Sequence, residues 1–197
     1  LGRSGLWVGR LGLGTGTWTR GTDEYEARDQ LAAFLDAGGT LIDTADVYSA
    51  WVPGHAGGES ETMIGAWLRQ RGRRDDVMIT TKVGMLPIDG DSGLAPARIA
   101  KAIDASLRRL GAEYVDLYLA HRDDTDQDQA DVAEAFDALV KAGKVRAIGA
   151  SNFTADRLTS ALAALRATSF CKTTTTCWNA KATKALCKTC ASRTISA

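Results

Sequence analysis

The chain has 197 residues, of which 45% are hydrophobic and 24% charged, enough for one globular domain with a real core. Lys plus Arg and Asp plus Glu both number 24, so the formal net charge is zero and electrostatic capture of nucleic acid or an anionic membrane is not indicated. No stretch resembles a secretory signal or a membrane span, and we therefore expect a cytoplasmic protein.

Apolar, β-branched runs alternate with segments of helical spacing. In chain order they are LWVGRLGLGT, helix 24–37, TLIDTADVY, helix 59–70, DVMITTKVG, helix 96–110, YVDLYLAH, helix 131–142, VRAIGASNF and helix 154–167. The third helix has the strongest signals, because Pro96 suits its first turn, Ile99, Ile103 and Leu107 form an apolar stripe, and Gly111 follows its end.

Five strand-to-helix alternations favour an α/β fold with a parallel sheet. The two candidates are an open doubly wound sheet and a (β/α)8 TIM barrel, here incomplete with about five βα units. The glycine fingerprint of a nucleotide-binding open sheet is poorly met, because LGLGTGTW has no third glycine at the required place. We therefore predict the barrel.

Polar residues stand at the carboxyl ends of several predicted strands, which is where a barrel carries its chemistry. They are Asp43 and Tyr48 after the second strand, Lys82 on the third, His121 on the fourth, and Ser151 and Asn152 on the fifth.

These side chains suit the delivery of a proton to a carbonyl oxygen. A lysine ammonium beside Tyr48 would stabilise the phenolate that remains after proton transfer, and Asp43 would hold Lys82 in place. Neutral His121 could donate a hydrogen bond to the same oxygen. A hydride for the adjacent carbon must come from a cofactor, because no side chain supplies one.

Each residue taken alone also has a structural interpretation. Asp43 and Tyr48 could cap a helix and pack a loop, Lys82 could be a surface lysine, and His121 could make a structural hydrogen bond. The joint arrangement at the ends of consecutive strands favours catalysis.

The motifs LGLGT, IDTADVY, GGESETMIG, TTKVG, DLYLAHRDD and IGASNF resemble the aldo-keto reductase family in order and spacing, from residue 1 to about 166. The resemblance implies a (β/α)8 barrel that reduces aldehydes or ketones with NADPH, or in some members NADH. A small-molecule carbonyl substrate is then the expected partner, whereas the substrate's identity, the choice between NADPH and NADH, and the oligomeric state stay open.

The resemblance also implies residue roles. Tyr48 is expected to be the general acid, Lys82 and Asp43 the pair that tunes it, and His121 the group that orients the carbonyl. Ser151 and Asn152 match family residues that hold the nicotinamide carboxamide. Gly14 and Thr15 match family residues near the cofactor's ribose. No metal site is expected.

The family pattern covers residues 1–168 and then stops, because the tail 169–197 lacks the expected sixth strand with its glutamine and its Tyr-Asn-Leu-Leu-Glu-Arg stretch. The tail contains all four cysteines, Cys171, Cys177, Cys187 and Cys190. A zinc site is one interpretation, but only one pair has the C-x-x-C spacing and no histidine is near. A disulfide interpretation needs an oxidising compartment.

A third interpretation is that the tail is family sequence read one nucleotide out of register. If each original codon began one base upstream, the genetic code forces Leu at Cys171, Gln or a stop at Lys172, Leu at Trp178 and Glu at Asn179, and allows Arg at Ala180. The alternative frame permits LQDDYNLLERKGYEGALQDL, which supplies the missing pattern. A pseudogene product or a sequencing artefact is thus one hypothesis for the chain. A separate hypothesis for its function is a non-catalytic, cofactor-sensing subunit with the same fold.

If the frame was lost, the chain holds five units of an eight-unit barrel, and we expect poor solubility and no tight NADPH binding. Independent sequencing of the coding DNA should reveal a family-like alternative frame beginning between about residues 165 and 170. A locus without such a frame would exclude the frameshift.

Overall fold

The computed structural model describes residues 4–87, 93–167 and 176–178 of the chain. Strands and helices alternate throughout this part. The elements are β1 (Gly12–Gly14), α1 (Glu24–Asp36), β2 (Leu41–Asp43), α2 (Glu59–Arg71), β3 (Met78–Val83), α3 (Pro96–Leu110), β4 (Val115–Ala120), α4 (Gln129–Lys141), β5 (Val145–Ser151), α5 (Ala155–Ala167) and β6 (Thr176–Trp178).

The helices lie close to their predicted bounds, with α3 matching at both ends. The largest difference is at α4, which begins two residues before the predicted position 131. Its start is set by Asp128, whose side chain accepts a hydrogen bond of 2.7 Å from the Ala130 backbone N–H. In α1, Asp23 and Glu26 form a reciprocal capping box.

The first strand is shorter than the predicted run 6–15, because only Gly12–Gly14 pairs with β2. The residues before it make other contacts. Leu6 packs in a cluster with Leu117 and Ala147, and the Gly9 N–H donates to the Thr40 hydroxyl at 3.0 Å. Packing beneath the sheet therefore replaces strand pairing for this segment.

The six strands form one sheet in the order β1-β2-β3-β4-β5-β6, and every neighbouring pair is parallel. A doubly wound sheet reverses its strand order at a switch point, whereas a barrel sheet is wound in one direction. The predicted α/β class and its parallel sheet are confirmed, with five βα units followed by β6. The sheet order is that of a barrel.

Strand β6 lies within the tail 169–197, for which an out-of-frame origin is one of the interpretations given above. It pairs with β5 in the register Gly149↔Thr176 and Ser151↔Trp178. The rest of that segment, including Cys171, Cys187 and Cys190, lies outside the described residues.

The strands have two differently packed faces. One face packs against the helices, as in the contact between the rings of Tyr118 on β4 and Phe136 on α4, whose centroids are 5.5 Å apart. The opposite face carries Leu117 and Leu119, which form a separate cluster with Ala147. Within the described residues, no helix has the length and apolar character needed to cross a bilayer.

Strand periodicity and register determine where the polar side chains lie. Because side chains alternate between faces, Lys82 and His121 share the face of Leu117 and Leu119. Lys82 pairs with Leu119, and Leu119 pairs with Gly149, two residues before Ser151. The carboxyl ends of β2 to β5 thus meet at one edge of the sheet.

Candidate active site

Lys82 is the centre of a compact group at the carboxyl edge of the sheet. Its buried ammonium donates to the Tyr48 hydroxyl at 2.9 Å, to the Asp43 carboxylate at 2.9 Å and to the Thr44 carbonyl at 2.7 Å. Three acceptors match the three N–H donors of an ammonium group. The structure therefore brings together the predicted Asp43, Tyr48 and Lys82.

Asp43 supplies the negative charge beside this buried lysine. Burial raises the pKa of Asp43 above its ordinary value, and the charge and hydrogen bond of Lys82 oppose that rise. The ion pair joins β2 to β3, which are neighbours in the sheet. The carboxylate keeps the ammonium directed at the Tyr48 hydroxyl.

His121 lies beside the Tyr48 ring. The two ring centroids are 5.9 Å apart in an edge arrangement at 68°. Burial lowers the pKa of His121 to about 4, and the nearby charges of Lys82 and Arg122 act in the same direction. The imidazole is therefore neutral near pH 7 and can donate one hydrogen bond.

Ser151 is the last residue of β5, and Asn152 follows it next to His121. Asn152 has a left-handed backbone, with φ 58°, a conformation that asparagine tolerates better than most residues. Its side-chain amide donates to the His121 carbonyl at 2.8 Å and to the Ser151 hydroxyl at 3.2 Å. The predicted carboxamide-holding pair is thus fixed to the strand end that carries His121.

Gly14 ends β1 near the same edge, and Thr15 follows it. A Cβ built on Gly14 would meet no atom within 4 Å, whereas one built on Gly16 would lie 3.6 Å from the Tyr48 ring. The Thr15 hydroxyl is fully buried, donates to the Asp43 carbonyl at 3.0 Å and accepts from the Ser60 hydroxyl at 2.7 Å. Its side chain thus joins β1 to β2 and α2, whereas Gly14 is exposed.

The backbone turns sharply immediately after Tyr48. Ser49 has φ 81°, in the left-handed region that non-glycine residues seldom occupy, and it is fully buried. The Tyr48 carbonyl accepts a hydrogen bond of 3.1 Å from the Gly58 N–H. Strained residues of this kind cluster at functional sites, where the surrounding structure holds them.

Behind the site lies a buried charge network that the sequence analysis did not identify. Glu61 on α2 accepts from the Thr81 hydroxyl at 2.5 Å and from the Arg109 guanidinium at 2.6 Å. Asp46, two residues before Tyr48, is also buried, and neither of its carboxyl oxygens has a hydrogen bond of normal geometry among the described residues. Glu61 belongs to the motif GGESETMIG, but the sequence carries no signal that pairs it with a residue 48 positions away.

Comparison with known proteins adds to this geometry. The sequence model of the Aldo/keto reductase family matches residues 10–196. The aldo-keto reductase YhdN of Bacillus subtilis is 37% identical in an alignment of 164 residues that covers 79% of this chain and 46% of that protein.

Of two further relatives, one is named as a reductase and the other as a channel subunit. A 6-dehydroglucose reductase of Novosphingobium aromaticivorans is 38% identical over 164 residues, covering 80% of this chain and 52% of that protein. A putative voltage-gated potassium channel subunit beta of Schizosaccharomyces pombe is 36% identical over 162 residues, covering 79% of this chain and 45% of that protein. The chain spans about half the length of these curated relatives.

Proposed function

Because the chain belongs to the aldo/keto reductase family, we propose that its protein reduces the carbonyl group of small aldehydes or ketones to an alcohol. The observation that carries this proposal is the 2.9 Å hydrogen bond between the Lys82 ammonium and the Tyr48 hydroxyl, beside a neutral His121. Such a group can protonate an oxygen next to a carbon that receives hydride.

Tyr48 is the proposed general acid. Its Oη holds the proton that the substrate oxygen takes up, and the phenolate left behind lies against the Lys82 ammonium. The Lys82 ammonium stays oriented toward Tyr48 because it donates its other two hydrogen bonds to the Asp43 carboxylate and the Thr44 carbonyl. The positive charge is thus in place before the proton moves, which lowers the barrier electrostatically.

His121 is the proposed orienting group. Its neutral imidazole donates a hydrogen bond to the substrate oxygen without competing with Tyr48 as an acid. Since the pKa of His121 is about 4, this role is available at all pH values above about 5. The hydrogen bond from Asn152 to the His121 carbonyl fixes the backbone that carries the imidazole.

NADPH is the proposed cofactor, with NADH as the alternative, and it supplies the hydride when bound. The residues present fit a dinucleotide in two respects. Gly14 is exposed where β1 pairs with Asp43, and Ser151 and Asn152 carry a hydroxyl and an amide next to His121. Gly14 and Thr15 would then lie near the ribose, and Ser151 and Asn152 near the carboxamide. Asp43 is also proposed to bind the cofactor.

A small carbonyl compound is the proposed partner, and we propose a cytoplasmic location for the protein. The formal net charge of zero gives no reason to expect nucleic acid or an anionic membrane as a partner.

A cofactor-sensing regulatory subunit is the second candidate function. The observation in its favour is that relatives from Schizosaccharomyces pombe and Oryza sativa are named as potassium channel beta subunits. Such a protein would keep the cofactor site and could lack useful turnover.

Consumption of NADPH with a panel of aldehydes and ketones separates the two candidates. We expect the protein expressed from the resequenced gene to oxidise NADPH only when a carbonyl compound is present, with one alcohol formed per NADPH consumed. Tight NADPH binding without turnover of any panel member would favour the regulatory subunit.

A further inference from the structure

We propose that Ser60 on α2 is a positioning residue for the Lys82 ammonium, acting through a chain of buried hydroxyl groups that holds the Thr44 carbonyl in place. This inference rests on the proposed reductase function, since it concerns the lysine that assists the proposed general acid. It follows from the direction of the hydrogen bonds in the chain, from the backbone groups that the chain holds and from its complete burial.

Three hydroxyl groups form one chain between the ends of β1 and β2 and the first turn of α2. The Ser60 hydroxyl lies 3.1 Å from that of Thr44 and 2.7 Å from that of Thr15. The Thr15 hydroxyl in turn donates to the Asp43 carbonyl at 3.0 Å. Because a hydroxyl has one hydrogen atom and a carbonyl can only accept, Ser60 donates to Thr15 and Thr44 donates to Ser60. The chain thus connects Thr44 and Asp43, which both accept hydrogen bonds from Lys82.

Thr44 is the residue through which this chain reaches the ammonium group. Its hydroxyl binds Ser60, its N–H donates to the Thr80 carbonyl at 2.9 Å, and its carbonyl accepts from Lys82 at 2.7 Å. Because the N–H and the hydroxyl are both bound, the Thr44 Cα atom is held on two sides. The carbonyl attached to that atom is thereby kept at its distance from the ammonium.

All three residues of the chain, Thr15, Thr44 and Ser60, are fully buried. When both partners of a buried hydrogen bond are replaced by apolar groups of the same shape, the change in stability is often small. Alanine and valine could therefore fill these positions at little cost in stability. What they could not supply is a fixed direction for the Thr44 carbonyl, and catalysis by fixed charges requires that the ammonium is in place before the proton moves.

Ser60→Ala should lower kcat for the reduction of butanal about tenfold in the protein expressed from the resequenced gene, and should change KM less than about threefold. The pH at which kcat falls to half on the alkaline side should rise by about half a unit, because a less firmly held ammonium stabilises the Tyr48 phenolate less. The substitution leaves in place the titratable groups beside Tyr48, namely Lys82, Asp43 and His121.

The neighbouring hydroxyl provides a pair of variants that separates hydrogen bonding from packing. Thr44→Val keeps the shape of the side chain and removes the hydroxyl, so it should reproduce the effects of Ser60→Ala. Thr44→Ser keeps the hydroxyl and should retain the wild-type kcat and pH profile. The double variant, Thr44→Val with Ser60→Ala, lacks both partners of the bond and should fold even if Ser60→Ala does not.

Ser106→Ala is the matched control. Ser106 is also a fully buried serine on a helix, but its hydroxyl accepts from the Arg109 guanidinium at 3.3 Å and takes no part in the chain. Its loss should lower the melting temperature without moving the pH profile of kcat.

Wild-type kcat and pH profiles in Ser60→Ala and Thr44→Val would overturn the positioning role. So would a Thr44→Ser protein that behaves like Thr44→Val, or an equal shift of the profile in Ser106→Ala. All three results leave the proposed reductase function intact.

If no carbonyl compound is reduced, NMR of isotope-labelled tyrosine decides, with the Tyr48 signal assigned by its absence in Tyr48→Phe. A titration midpoint of Tyr48 that rises in Ser60→Ala and Thr44→Val, but not in Ser106→Ala, supports the positioning role while the reductase proposal fails. An unchanged midpoint in both chain variants overturns it.

Discussion

In the protein expressed from the resequenced gene, Tyr48→Phe is expected to lower kcat for carbonyl reduction by about 100- to 10,000-fold, the usual contribution of a positioned general acid. The substitution removes only the hydroxyl that lies 2.9 Å from the Lys82 ammonium. The phenylalanine ring can keep the contacts with Trp51 and His121, and Lys82 keeps Asp43 and the Thr44 carbonyl as acceptors. The variant should therefore fold and bind NADPH as the wild type does.

The matched control is Tyr25→Phe, because Tyr25 is 77% exposed on α1 and outside the site. Its kcat should equal that of the wild type. Steady-state NADPH oxidation gives kcat, and the fluorescence of bound NADPH gives the dissociation constant for each protein. Turnover that survives Tyr48→Phe at wild-type rates would show that another group donates the proton.

The position of the site could be predicted from the sequence because two simple rules determine it. Parallel strands end at the same edge of a sheet, and side chains on a strand alternate between faces. Lys82 and His121 therefore share a face. Tyr48 lies in the loop that begins at the end of β2, next to β3, and this position brings it to Lys82. The residue roles stay predictions until variants are measured.

Other features could not be predicted, since they depend on backbone groups common to every residue or on the tertiary packing of residues far apart in the sequence. The third acceptor of Lys82 is a backbone carbonyl, that of Thr44, and every residue has one. The ion pair between Glu61 and Arg109 joins α2 to α3 through tertiary packing. The shortness of β1 likewise reflects the packing of Leu6 under the sheet, which overrides the apolar pattern of that run.

The two sides of the β2 to α2 connection differ in how well their polar groups are matched. On the side of the candidate site, each donor of Lys82 has an acceptor. On the helix side, Glu61 has two donors whereas Asp46 has no hydrogen bond of normal geometry among the described residues. Burying a polar group without a hydrogen bond costs free energy, so the Asp46 carboxyl lowers the stability of the folded protein.

Asp46→Asn is expected to stabilise the protein at pH 8 and to leave its stability almost unchanged at pH 4. Asp46 is only 1% exposed, and burial raises the pKa of its carboxyl from 3.8 to about 7, with the negative charge of Glu61 acting in the same direction. The positive charges of Arg109 and Arg98 on α3, and the nearby Val47 N–H, oppose that rise. Tyr118 on β4 also faces this cluster, with a hydroxyl that is buried and without a partner among the described residues.

The direction of the pH dependence follows from proton binding. Below about pH 3 the carboxyl is protonated in both the folded and the unfolded chain, so it makes no difference to stability. Between about pH 4 and pH 7 the unfolded chain loses this proton first, and the free energy of unfolding falls as the pH rises. The difference between 3.8 and about 7 corresponds to an upper limit of about 4 kcal/mol, and we expect Asp46→Asn to gain about 2–4 kcal/mol at pH 8.

Urea unfolding of the wild type and Asp46→Asn at pH 4.5, 6 and 8 measures this difference. The gap between the two proteins should widen steadily with pH, because the amide cannot ionise. Asp75→Asn is the matched control, since the Asp75 side chain is 85% exposed, and it should change stability by less than about 0.5 kcal/mol at every pH. Parallel pH curves for Asp46→Asn and the wild type would mean that Asp46 is ionised in the folded protein at all three pH values, with Arg98 or Arg109 compensating its charge.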